Sequence, residues 1–238
     1  MIGANATLAD AASAPTALHR LLNGLVTPQM RSLLPALSRA IESGHVHAHL
    51  RQLLDIAPSE SIPITGYSHP NGFLKIRLAA QPDRWTLRFH IWNDPGLEGD
   101  IHSHQWNFAS KLVSGRMLTR TYLALFDPGG EWLRLHCRRT VQRGYEFRSI
   151  GRCNIVQQGE TEYQGGDAYV QDHRWLHAIE TSPSLPLVTL LLQGHDVSRW
   201  STVIAAGGER VARQVPIRAL QPAEIEKALR LASTLLRD

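Results

Sequence analysis

The sequence predicts a mainly β protein, an antiparallel barrel or sandwich flanked by helices at both ends. Three observations predict it. Between about residues 61 and 205, short segments of alternating polar and apolar character recur, with Gly, Pro, Asn and Asp clustered between them; this is the pattern of half-buried strands joined by tight turns. On either side the apolar residues recur every three or four positions instead, which is helical spacing. Of the 238 residues, 43% are hydrophobic and 19% charged, enough apolar material for a packed core and too little charge for a disordered chain.

Residues 1–14 are small, polar and without period, and are expected to be disordered. Residues 15–60 form an N-terminal helical extension of two or three short helices: Leu18, Leu21, Leu22 and Leu25 share one period, and Met30, Leu33, Leu34, Leu37 and Ile41 share another. Thr27 before Pro28 predicts an N-cap with proline at the first helical position. Pro58 to Pro63 break the pattern and open the barrel, residues 61–205. Its predicted strands are Gly72–Ala79, Trp85–Trp92, Trp106–Val113, Arg116–Phe126, Trp132–Arg138, Ala168–Gln171, His177–Thr181 and Leu187–Gln193. A C-terminal helical segment, 206–238, follows; Ile225, Leu229, Ala232 and Leu236 set its period after the Gln221-Pro222 start. The terminal helices either cover a barrel face or form a homodimer contact.

Composition excludes several classes. The formal charge is +4 with no run of like charges, so no nucleic-acid-binding tail is expected. No uninterrupted apolar stretch is long enough to span a bilayer, and the N-terminus lacks the basic start and apolar run of a signal peptide. Cys137 and Cys153 lack redox or zinc-ribbon spacing and read as small buried hydrophobes. The expected location is the cytoplasm, and the expected partner is a small-molecule substrate.

Of the twelve histidines, the informative ones follow a turn-rich Pro95-Gly96-Leu97-Glu98-Gly99 in Asp100-Ile101-His102-Ser103-His104. Residues two apart on a strand face the same way, so His102 and His104 can aim two imidazoles at one point. His177 lies on a later strand, eleven residues after Gly166. Three neutral imidazoles suit a divalent transition metal. A second cluster, His45, His47 and His49, falls in the helical region, where a spacing of two puts side chains on different faces. It is expected to be structural. His90, on an alternating strand, could point inward, and Asp172 and Glu180 could orient a ligand imidazole.

These residues resemble the two motifs of the cupin superfamily. GLEGDIHSHQWNFASKLVSG matches the first motif with Gly96, His102, His104 and Gly115; GDAYVQDHRWLHAIET matches the second with Gly166 and His177. The resemblance covers roughly residues 72–195 and implies a cupin-type double-stranded β-helix, or jelly-roll barrel. Phe108 stands where many cupins carry a glutamate ligand, which makes the site look like the three-histidine branch of cysteine dioxygenase-like thiol dioxygenases. In that branch an earlier-strand arginine binds the substrate carboxylate, and Arg77 sits near the equivalent place. Two departures argue against the same substrate: Phe108 replaces the cysteine of that family's cysteine–tyrosine crosslink, and Thr189–Gln193 supplies neither the histidine nor the tyrosine of its relay.

The resulting expectation is an enzyme that holds Fe(II) through His102, His104 and His177 and acts as a dioxygenase on a small anionic carboxylate or thiol metabolite. Arg77 would pair with a carboxylate, with Arg88 a weaker candidate, and Tyr122 and Tyr169 would donate hydrogen bonds to substrate or oxygen. The alternatives are a lyase, isomerase or hydrolase using Zn, Ni, Mn or Fe as a Lewis acid, with Tyr122, Tyr169 or His173 as base, and a non-catalytic small-molecule-binding barrel.

Overall fold

The computed structural model describes residues 16–55, 64–92, 96, 99–140, 144–182, 186–206 and 214–236. The segment 1–14, expected to be disordered, lies outside them. Three helices open the fold: α1 (Ala17–Leu25), α2 (Leu33–Glu42) and α3 (His45–Asp55). Thr16 caps α1, its side chain accepting a hydrogen bond from the His19 amide, which satisfies one of the free N–H groups of the first turn. Thr27 does not cap a helix. Its hydroxyl accepts from the Gln29 amide within a turn, and α2 begins six residues later, after a single 3₁₀ turn over Met30–Ser32.

The barrel is built from antiparallel strands in two sheets. The first contains β1 (Thr65–His69), β2 (Phe73–Gln81), β3 (Trp85–Trp92), β5 (Trp106–Ser114), β9 (Ala168–Gln171), β11 (Leu187–Asp196) and β14 (Arg218–Ala219). The second contains β4 (Ile101–His102), β6 (Arg116–Phe126), β7 (Trp132–Thr140), β8 (Gly144–Gln164), β10 (Leu176–Thr181), β12 (Ser201–Ala206) and β13 (Gln214–Val215). The orders are β14-β1-β2-β3-β11-β5-β9 and β13-β8-β6-β10-β4-β12-β7. The sequence reading missed β1, β8 and β12, and also β13 and β14, which lie in the 206–238 segment it expected to be helical. β8 is long because it serves two long partners in turn: its first half pairs with β7 and its second with β6, the two ladders meeting at Cys153, while the short β13 pairs at its start.

Alternation along the first sheet separates a core from a cavity. Ile76, Leu78, Leu87, Phe89, Ile91, Val188, Leu190 and Leu192 point outward and are buried under the helices, against Leu18, Leu22, Leu37, Leu50 and Leu229. Each such side chain contributes about 1.5–3 kcal/mol by leaving water. The last of those residues belongs to α4 (Pro222–Leu235), which starts at a proline while the Gln221 amide donates to the Glu224 carboxylate at 2.8 Å. The terminal helices therefore cover a barrel face, one of the two uses foreseen for them. The interleaved residues Lys75, Arg88 and His90 line a cavity on the opposite face. Among the described residues no helix is long and apolar enough to cross a membrane.

Candidate metal centre

His102 is the last residue of β4, a two-residue strand held between β10 and β12, where it pairs with His177 on one side and Val203 on the other. Directly opposed residues share a face, so the backbone register itself brings His102 and His177 together. His104 arrives differently from expectation. The strand ends at His102, and the chain crosses from the second sheet to the first over residues 103–105. The crossing is pinned by backbone bonds: the Ser103 amide donates to the Thr202 carbonyl and the His104 amide to the His173 carbonyl. The Ser103 hydroxyl accepts from the Thr202 amide at 2.9 Å. His104 thus reaches the cluster from a braced crossing rather than by strand alternation.

The three ring centroids lie 4.8, 4.9 and 5.0 Å apart. One donor nitrogen of each ring lies within 4.8 Å of the others. The Nε2 atoms of His104 and His177 are 3.3 Å apart. Two nitrogens about 2.0–2.1 Å from one ion, at roughly right or tetrahedral angles, are about 2.8–3.4 Å apart, so this pair, at 3.3 Å, fits a shared cation. His102 donates from Nδ1 to the Asp100 carbonyl at 2.8 Å, leaving the Nε2 lone pair for a ligand. Burial holds His104 and His177 well below the usual imidazole range and lowers His102 despite the Asp100 bond. The rings are therefore neutral at pH 7, the state a metal requires. Among the described residues this is the single group of three or more such side chains able to hold a metal.

An aromatic wall stands against one side of the cluster. The Phe108 ring stands edge-on to His104 at 4.9 Å, and Trp106 lies 4.6 Å from the same imidazole. The site thus has three neutral donors and an apolar side.

The accessory residues fall out unevenly. Arg77 is exposed and does not line the cavity shared with the histidines. Tyr122 faces away from His177, in an apolar cluster with Cys153, Leu176 and Ile204. Tyr169 stands behind Phe108, 5.9 Å from it and stacked on Tyr163 at 4.7 Å. His90 does point inward, buried with Nε2 unpartnered. Asp172 binds Arg174 and Glu180 binds Arg120, so neither carboxylate supports a ligand imidazole. His173 lends its backbone carbonyl to His104, while its ring meets Asn107. In α3, His49 bonds the Leu78 carbonyl and His45 bonds Ser43; the helical histidines do not converge.

On the cationic side of the cavity the sequence reading named Arg88 as a weaker candidate and missed Lys75 and Arg139. The cavity's volume is about 440 Å³, and Lys75, Arg88 and Arg139 line it beside His102 and His104. Arg88 lies 5.6 Å from the Trp106 ring centre and Arg139 4.4 Å from that of Tyr67. Burial beside Arg139 and Arg77 lowers Arg88 to about 10, leaving it charged at neutral pH, while burial and the neighbouring Arg88 and Arg139 drive the Lys75 ammonium well down. Tyr67 and Tyr145 hydroxyls meet at 3.0 Å in the same wall. Alternation in FLKIRLAA marks Lys75 and Arg77 as sharing a face. Only the barrel's curvature decides which of them enters the cavity.

The fold and the site define a class: a two-sheet antiparallel β-barrel with a three-imidazole cluster able to hold a divalent transition metal, opening on a cation-lined cavity. No family profile and no curated protein matches the sequence. Solved structures similar to it include proteins named as cupins. KdgF from Halomonas sp. is 16% identical, with 55% of this chain and 87% of that one covered at a TM-score of 0.34. An RmlC-like cupin from Shewanella frigidimarina is 12% identical, with 56% and 86% covered at 0.33. Hydroquinone 1,2-dioxygenase PnpCD, crystallised with Cd2+ and 4-hydroxybenzonitrile, is 13% identical, with 54% and 66% covered at 0.34.

Proposed function

We propose that this chain is a metal-dependent enzyme, an Fe(II) dioxygenase in the manner of the three-histidine branch, acting on a small anionic carboxylate or thiol metabolite. The observation that carries the reading is the convergence of His102, His104 and His177, with Phe108 in place of a fourth, charged ligand. His102, His104 and His177 would hold a divalent ion, which would supply Lewis acidity and, as iron, redox chemistry toward oxygen. The chain's own residues do the rest. Arg88 and Arg139 draw an anion into the cavity and hold it there, with Lys75 beside them in the wall. Trp106 and Phe108 form an apolar flank on His104, which limits water on that side. The hydrogen bond from His102 to the Asp100 carbonyl fixes that ring's tautomer.

A specific observation favours the second reading, a lyase or isomerase using Zn, Ni or Mn. The Tyr67–Tyr145 hydroxyl pair and Lys75 line the cavity and could exchange protons with a substrate. Anaerobic loading with Fe(II), then oxygen-uptake assays against thiols, amino acids and hydroxy acids, separates the two. Oxygen consumption that requires both Fe(II) and a substrate supports the first reading. Turnover with Zn or Ni and no oxygen uptake with any class overturns it in favour of the second.

A further inference from the structure

This chain uses arginine almost wherever it carries a cation. Of its 25 basic residues, 22 are arginine, and the three lysines are Lys75, Lys111 and Lys227. Of these three, Lys75 alone lines the cavity that opens on the metal centre. In the ladder of the first sheet it is directly opposed by Tyr67 on β1 and His90 on β3, so the three side chains share the inward face. Its Nζ lies 5.9 Å from the centre of the Tyr67 ring and 5.5 Å from that of Trp106, whose own centre is 4.6 Å from the His104 imidazole. Among the described residues no carboxylate lies within 4.0 Å of it. The charges that bear on it are those of Arg88 and Arg139, and the imidazoles of His69, His90, His102 and His104 face it from the neighbouring elements.

A guanidinium at this position would clasp an anion better than an ammonium does, through two parallel hydrogen bonds. What an amine can do and a guanidinium cannot is shed its proton near neutral pH and attack carbon. Two fixed positive charges beside it, an apolar ring against it and no carboxylate all favour that neutral, nucleophilic form. We propose that Lys75 is a nucleophile that condenses with the carbonyl carbon of a small anionic aldehyde or 2-oxo acid. The carbon–nitrogen bond forms as one proton passes from the nitrogen to the carbonyl oxygen. The second N–H proton then leaves with that oxygen as water, and an imine remains. Nothing is oxidised or reduced, and no co-reactant is required. The imine draws electrons from the adjoining carbon and so activates its bonds, the usual service of a lysine in covalent catalysis. This deepens the reading of the cavity as the site of a small anionic metabolite by naming a carbonyl as that substrate's reacting group. It rests on that reading for the substrate's charge and size, and not on the metal.

Reductive trapping tests it. The full chain, its metal content measured, is incubated at pH 7 with pyruvate or glyoxylate and cyanoborohydride, which reduces an imine to a stable secondary amine. Peptide mass spectrometry then locates each modified residue and counts the α-amino group of the chain separately. Lys75 is expected to be labelled about tenfold or more faster than Lys111 and Lys227, because an ordinary lysine, with a pKa of about 10.4, is neutral at pH 7 in fewer than about one molecule in a thousand. Lys75→Arg keeps the charge and is expected to lose that label, with metal content and far-ultraviolet circular dichroism unchanged. Label spread evenly over the three lysines, or absent from Lys75 with both probes, overturns the nucleophile. So does Lys75→Arg protein that gains as much label as the wild type. Labelling of Lys75 in protein that neither takes up Fe(II) nor consumes oxygen overturns the dioxygenase reading alone. Fe(II)-dependent oxygen consumption with Lys75 unlabelled overturns the nucleophile alone.

Discussion

At the residue scale, the cluster depends on two different ways of aiming a histidine. His102 and His177 are set by register on neighbouring strands, and His104 by a backbone bond to the His173 carbonyl. Truncating one ring leaves two donors and a weakened site, and truncating two leaves a single donor. His102→Ala combined with His104→Ala is expected to lower bound metal from one equivalent to less than about a tenth, with an unchanged far-ultraviolet circular dichroism spectrum, because both rings are only part-buried. Phe108 behaves in the opposite way. It is buried among Trp106, Leu191 and Tyr169, and Phe108→Ala should cost about 3–5 kcal/mol of stability, read from denaturant unfolding.

Protonation gives a further prediction at this scale. In metal-free protein, burial holds His69, His90, His104 and His177 well below the usual imidazole range. Their folded-state pKa values are depressed, so the neutral rings favour folding above the unfolded value of about 6.5. As pH falls below that value the unfolded chain takes up protons the folded chain refuses, and stability is lost. The thermal midpoint of the metal-free protein should be flat from pH 7 to 8 and fall by several degrees by about pH 5.5; a midpoint that rises on acidification contradicts the assignment of neutral buried rings.

At the scale of elements, the glycines that frame the two motifs act through the backbone. Gly115 has φ +85°, and a Cβ there would stand 2.8 Å from the Leu187 backbone. Gly115→Ala must strain both the turn and the β5–β11 pair, and should destabilise by more than about 1 kcal/mol, measured as a lowered thermal midpoint. Such positions are legible in a sequence because they follow from local sterics. Strand β3 is equally legible, since Trp85, Leu87, Phe89 and Ile91 alternate with polar residues, and the bounds of β3 and β6 fall where the sequence reading places them. β8 is not. GYEFRSIGRCNIVQQGETEYQ is largely polar and mostly exposed or half-buried, because it pairs with two long strands in turn and owes its conformation to their ladders rather than to a buried face. β1 and β12 are hidden likewise: their residues show no clean alternation.

The same reasoning explains which site residues were readable. His102, His104 and His177 carry a spacing that points to a shared ligand. The cavity's cations do not, because Lys75, Arg88 and Arg139 come from three strands, β2, β3 and β7, whose convergence is a property of the closed barrel. Tyr122 and Tyr169 were plausible by residue type alone. The register, which sets Tyr122 opposite Leu176 and Tyr169 opposite Ser110, places them away from the cavity lining.

At the scale of the whole molecule, stability and chemistry occupy opposite faces of the first sheet. The helices cover its outer face with aliphatic side chains, while its inner face carries Lys75, Arg88 and His90, which line the cavity. Substitutions in the helical layer should therefore weaken the fold without altering the site. Leu37→Ala, at a fully buried position of α2, is expected to cost about 2–5 kcal/mol while metal content stays at one equivalent. Conversely, an ion that binds only the folded cluster stabilises the whole chain: at one hundred times its dissociation constant the gain is about 2.7 kcal/mol, roughly 5–10 °C for a domain of this size.

X-ray absorption spectroscopy of the zinc- or iron-loaded protein tests the central claim most directly. The account predicts three imidazole nitrogens at about 2.0–2.2 Å, with the outer-shell scattering of histidine rings and no sulfur, and a drop to two rings in His177→Ala. A spectrum with sulfur ligands, with fewer than three imidazoles in the wild-type protein, or unchanged by His177→Ala would contradict it.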